Sequence, residues 1–134
     1  MDDRLALRIQ LFREGGQVRP EAAEFVTAEL DALAAEGRTV TEETAGTLTS
    51  HLMMALTRLL DGEPIAEFPT DSEITAELAG HPRAVARARA VSARAASELG
   101  APLPDSEINF LGLHLALLDQ NSPPTARDMR RNQP

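Results

Sequence analysis

The side chains best suited to chemistry in this chain are its histidines, His51, His81 and His114. Imidazole changes charge near neutral pH and offers two distinct nitrogens for proton transfer, hydrogen bonding or metal ligation. His51 is followed by Arg58, and His114 is preceded by Glu107, in both cases at a spacing of seven residues. On a helix that spacing is about two turns, so each ring shares a line with a charged residue. His114 stands in the middle of INFLGLHLALL, residues 108–118, which is otherwise almost wholly apolar.

A single such histidine is ordinarily a core-margin residue with one ring nitrogen satisfied by a neighbouring carbonyl. Two of them, each embedded in an apolar helix with a charge seven positions away, weaken that ordinary reading. A metal site is poorly supported: the histidines form no i, i+4 pair, and no acidic cluster supplies further ligands at a recognisable spacing. A hydrolase triad lacks both a serine on a strand-to-helix elbow and a glycine pair for an oxyanion hole. The absence of cysteine excludes thiol chemistry, disulfides and thiolate metal ligation. Neither catalysis nor a cofactor is expected.

The elements that must position these residues are helices. Apolar residues recur at spacings of three and four, and no segment alternates with period two, which predicts an all-α fold without a sheet. The first helix is expected over Asp3 to Glu14, with Leu5, Ile9 and Phe12 on one stripe, ending at Gly15-Gly16. Pro20 opens a second, with Ala22, Phe25, Val26, Leu30 and Leu33 facing inward and Gly37 at its end; the two should pack as a hairpin. A third starts at Thr41, an N-cap followed by two glutamates, and runs to Asp61 before Gly62. Its core stripe is Leu48, Leu52, Ala55, Leu56 and Leu59, with His51 and Arg58 on the flank and Met53 and Met54 as packing residues.

EPIAEFPTD, residues 63–71, reads as an extended connector, followed by a short helical turn at about Ser72 to Ala79. Pro82 begins a helix that stops at Gly100, with His81 as an ordinary residue at its start. Arg83, Arg87, Arg89 and Arg94 make that helix basic, most simply as a solvated face paired with nearby acids and less simply as a docking surface. Asp105 or Ser106 should cap the last helix, which ends near Asp119. Apolar residues surround most of that helix, implying burial between helices or at a subunit interface. Residues 1–119 thus form one domain, and 120–134 read as a disordered polar tail.

Composition narrows the function classes. A length of 134 residues with 43% hydrophobic content suits a single globular domain. No apolar run is long enough for a membrane span and the N-terminus MDDRLALR is acidic, so a cytoplasmic protein without a membrane partner is expected. A net charge of −8 argues against direct nucleic-acid binding, and four phenylalanines as the only aromatics give no base-stacking platform. All 13 basic residues are arginine, which with the abundant alanine reads as genome composition.

The order of motifs is more specific than any one of them. LTSHLMMALTRLLDGEPI, followed about fifteen residues later by HPRAVARARAVSARAASELGAPLPDSEINFLGLHLAL, resembles the PTS regulation domain, or PRD. The resemblance covers about Thr39 to Leu118 in one register. It rests on a helical histidine with an arginine seven residues on, a following glycine and isoleucine, a proline-initiated helix, an LP-x-x-E-I turn and LH in the last helix. It implies a compact bundle of five antiparallel helices that forms homodimers. It further implies phosphorylation on histidine by the phosphocarrier protein HPr or an enzyme II B component of the sugar phosphotransferase system. The family's two phosphorylatable positions fall on His51 and His114, and Arg58 and Glu107 also fall on motif positions. Ser50 stands where an aspartate is common in the family, and its hydroxyl could still serve the ring.

Two functions from different classes follow. One is a free-standing regulatory module that receives phosphate on His51, His114 or both and controls carbohydrate-related gene expression or enzymes by binding another protein. The other is a non-phosphorylated structural or interaction protein that keeps the PRD fold and binds a partner protein or small metabolite.

Overall fold

The computed structural model describes residues 2–63 and 72–121. Among them the chain forms six α-helices and no strand: α1 (Asp3–Glu14), α2 (Pro20–Ala35), α3 (Glu42–Leu60), α4 (Ser72–Ala79), α5 (Pro82–Leu99) and α6 (Asp105–Asn121). None of these helices is long and apolar enough to cross a membrane. The expected bundle of five becomes six because the short turn before Pro82 is a full two-turn helix packed against α5 and α6. The EPIAEFPTD connector, from Pro64 on, lies outside the described residues. So does the expected polar tail beyond Asn121, although α6 runs through Gln120 and Asn121, two residues past the expected end.

The helix boundaries have local causes. At the start of α3, Thr41 Oγ1 accepts from the Thr44 backbone N–H at 3.3 Å while Thr44 Oγ1 accepts from the Thr41 N–H at 2.9 Å, a reciprocal cap. The end of α5 is closed by Gly100 in the left-handed region, with φ of 68°, its N–H on Ala96 C=O and the Ala101 N–H on Ala95 C=O. The start of α6 departs from expectation. Pro104 C=O accepts from the N–H groups of Glu107 and Ile108, so Asp105 and Ser106 already lie in the first turn and neither caps it. The Ser106 hydroxyl is buried without a hydrogen-bond partner among the described residues.

The core is one cluster shared by every long helix, with Leu5, Val26, Met53, Leu56 and Leu118 almost fully buried. Each such side chain contributes roughly 1.5–3 kcal/mol through removal from water, set against the entropy of ordering the chain. Helix directions are mixed. The Glu36–Arg87 and Glu29–Arg94 ion pairs run α2 and α5 antiparallel, and they hold two arginines of α5 on one acid of α2 and on the residue that caps its C-terminus. By contrast α1 and α3 run the same way: Asp2 meets the start of α3, Arg4 meets Glu43, Arg8 meets Ser50, and the Arg19 N–H donates to Thr57 Oγ1. The expected α1–α2 hairpin is therefore a weaker contact than the α1–α3 pair, because the polar side chains of α1 find their partners on α3.

Gly112 lets α6 sit close to its neighbours. A Cβ there would lie 3.2 Å from Leu78 Cδ2 of α4 and 3.9 Å from Ala88 Cβ of α5. On another side of α6, Glu107 and Phe110 meet His51 of α3, and His114 lies against Phe110.

Candidate functional site

His51 lies on the flank of α3, outside the buried stripe of Leu48, Leu52, Met53, Ala55 and Leu56. Its Nε2 is 2.5 Å from Glu107 Oε2 on α6, and the side chains are 35% and 6% exposed, respectively. The carboxylate is thus held almost completely inside, at the first turn of α6, with the partly exposed imidazole as its partner. The first turn of a helix is a favourable place for a negative charge.

Glu107 therefore serves the opposite histidine from the one whose helix line it shares. Two turns along α6 were too great a distance for contact with His114, whereas the α3–α6 packing brings His51 directly onto it. His114 is connected to the site through Phe110. The Phe110 ring stacks on His51 with centroids 3.9 Å apart and 23° between planes, and lies against His114 at 4.3 Å and 41°. Three rings from two helices thus form a row, with Glu107 at one end. Burial lowers the His114 pKa below the ordinary histidine value, and the proximity of His51 lowers it further, so this ring is held neutral.

Arg58 shares a shallow pocket of about 180 Å³ with His51, Met54, Ala55 and Glu107. It is exposed and has no ion-pair partner among the described residues. Met53 is fully buried, as a packing residue should be, but Met54 is 43% exposed at the mouth of this pocket.

Ser50 is directed elsewhere. Its Oγ accepts from Arg8 Nη1 of α1 at 2.9 Å, and the same guanidinium grips Glu42 through Nε at 3.0 Å and through Nη2. Gly46 makes room for this clamp, since a Cβ there would come within 3.1 Å of Arg8 Nη2. The Glu42 carboxyl is lowered below the usual carboxylate range by its hydrogen bonds to Arg8. Ser50 thus fastens α1 to α3 and leaves ring orientation to Glu107. His81 is the N-cap residue of α5, and its Nε2 lies 3.2 Å from Glu77 Oε1 one turn back on α4.

Phe110 and Arg8 are the residues that sequence reasoning missed. Phe110 follows Glu107 by three positions and precedes His114 by four, so its place between them is implicit in helical spacing. Arg8 carried no such signal, because its partners lie 34 and 42 residues away.

Chemically the site offers an oriented imidazole, a second neutral imidazole across a phenyl ring, and a nearby cation. It supplies no cluster of three histidine, aspartate, glutamate or cysteine side chains suited to a metal among the described residues. What fold and site define together is an all-α bundle with a two-histidine centre between α3 and α6. No family model matches the chain, and neither does any curated protein or solved structure.

Proposed function

We propose that this protein is a PRD-like regulatory module of the bacterial sugar phosphotransferase system, phosphorylated on histidine and signalling by protein–protein contact to control carbohydrate-related gene expression or enzymes. The observation that carries this reading is the row His51, Phe110, His114, with Glu107 on the first ring. Such an arrangement gives a phosphoryl group an oriented, partly exposed nitrogen to bond to, and gives the modified state a second ring on which to act.

The energetics support a switch. A phosphoryl group adds about −1.5 to −2 charges, by analogy with other phosphorylated side chains, so at the edge of an apolar seam it must find a cation or move its surroundings. Arg58, exposed in the His51 pocket, is the cation at hand. On α6 the half-buried His114 and Leu113 and the 51% exposed Leu117 form an apolar edge suited to a homodimer partner. A bias of about 1–3 kcal/mol is enough to move a binding or conformational equilibrium by one to two orders of magnitude.

The test is labelling of the purified protein with phosphoenolpyruvate, enzyme I and the cognate phosphocarrier HPr or enzyme II B component, read by intact mass and acid lability. His51→Ala and His114→Ala are run beside it, with circular dichroism to establish folding. Wild type should gain acid-labile phosphate and His51→Ala should lose most of it. Arg58→Gln should fold normally yet accumulate several-fold less, as expected for a lost charge contact of order 1 kcal/mol. A folded wild-type protein that takes no phosphate from any cognate donor would refute the module. It would favour a protein that keeps the bundle only for binding.

A further inference from the structure

The geometry points to Nδ1 of His51 as the phosphoryl-accepting atom, with Glu107 as the positioning residue that selects it. This rests on the reading of His51 as a phosphoacceptor, and adds which nitrogen reacts and why.

The two imidazole nitrogens are made unequal by one contact. Nε2 faces Glu107 Oε2 at 2.5 Å, and that carboxylate is only 6% exposed. A carboxylate oxygen can only accept, so the hydrogen in this contact is carried by Nε2, which donates to Glu107 Oε2. In the neutral ring the lone pair then lies on Nδ1, the nucleophilic nitrogen. Nδ1 has no hydrogen-bond partner among the described residues. The ring is 35% exposed and opens on the pocket that holds Arg58.

Reaction at Nε2 meets two obstacles. It would have to break the contact with Glu107, and it would then set a phosphoryl dianion against a nearly buried carboxylate, where like charges repel with little screening. Phe110, stacked on the ring at 3.9 Å, further resists a flip that would exchange the nitrogens.

The step balances without any extra reagent. The Nδ1 lone pair of neutral His51 forms a bond to phosphorus as the P–N bond of a donor phosphoimidazolium breaks. The electron pair of that bond stays with the donor, which leaves as neutral imidazole with its other N–H intact. His51 becomes a phosphoimidazolium that retains the proton on Nε2, and its positive charge lies against Glu107. No proton has to enter or leave, and the carboxylate interacts more strongly with the product than with the neutral ring.

The tautomer is readable in the unmodified protein by long-range ¹H–¹⁵N correlation on ¹⁵N-histidine samples. In wild type the Nε2–H form of His51 should exceed the Nδ1–H form by roughly tenfold or more, the effect of one charge-assisted hydrogen bond. Glu107→Gln, whose amide can donate as well as accept, should reduce that ratio several-fold while keeping the fold, and Glu107→Ala should do so with no acceptor left. His51 in the Nδ1–H form, or a ratio unmoved by both variants, would overturn the assignment.

Potassium phosphoramidate, which needs no protein donor, then reports the site of bonding by ³¹P and ¹⁵N spectra. Phosphate on Nδ1 in wild type, shifting toward the less hindered Nε2 in Glu107→Gln, is the expected result. Phosphate on Nε2 of wild-type His51, or none on His51, would also overturn it. A protein labelled on Nδ1 by phosphoramidate but by no phosphocarrier would count against the signalling reading and leave the nitrogen assignment standing.

Discussion

His51 and His114 are the same residue type on either side of one phenyl ring, yet the bundle treats them differently. His51 is tied to a nearly buried carboxylate and faces a pocket with a cation. His114 has the apolar seam and the other imidazole for company, and its ring is pushed toward the neutral form by burial first and by His51 second. Titratable groups in adjacent but unlike surroundings can divide a task between them, and on the proposed reading His51 takes the phosphoryl group while His114 responds to its charge.

The largest expected difference between the two rings is in stability. His51→Ala leaves the nearly buried Glu107 without its partner, and breaking such a pair from one side costs about 3 kcal/mol. His114→Ala removes a half-buried ring but abandons no charge, and should cost roughly 1 kcal/mol or less. Urea denaturation at pH 7.5 compares them directly. Adding Glu107→Leu to His51→Ala should recover part of the loss, because both polar partners are then gone. Equal costs for the two single variants, with no recovery in the double, would show that Glu107 does not depend on His51.

Much of this arrangement was legible in the chain. All six helices lie within about two residues of the boundaries implied by Pro20, Thr41, Pro82 and the terminal glycines, because those residues act through local backbone geometry. Periodicity also put His51 on the flank of α3 and Arg58 on its side. What could not be read was pairing between helices. Glu107 and His114 share a helical line, and a one-dimensional reading kept them together; the contact to His51 depends on how α6 packs on α3. The partner of Ser50 was hidden for a similar reason, since adjacency in sequence to His51 turns its side chain about 100° away, toward Arg8 of α1. Helix direction was equally hidden: nothing local says that α1 and α3 run the same way.

A smaller effect sharpens the contrast in pH. The folded-state pKa of His114 lies below its ordinary value of 6.5, so the unfolded chain binds the proton more readily. This ring therefore contributes full stability above pH 6.5, and that contribution is lost as pH falls through the lowered folded-state value. Histidine titration by NMR should show His114 as the depressed ring. Phe110→Ala, which opens it to water, should raise its pKa more than His51→Gln, which removes only the neighbouring imidazole. The reverse order would make His51 the dominant influence and the seam a minor one.

The smallest expected effect concerns the residue beside the first ring. Ser50 accepts from Arg8 at 2.9 Å, within a clamp that also holds Glu42. Ser50→Asp would place a carboxylate on that guanidinium and strengthen the α1–α3 tie by roughly 0.5 kcal/mol, the ordinary worth of a partly exposed ion pair that shares its cation with another acid. The His51 tautomer ratio should be unchanged, because the new charge is spent on Arg8 and Nε2 remains with Glu107. If Ser50→Asp instead alters the His51 ring nitrogens, position 50 reaches the imidazole after all, and two carboxylates compete for one ring. In that event Arg8→Gln, which frees the aspartate, should enlarge the change. With Arg8 retaining its grip, the orientation of His51 is the work of α6 alone.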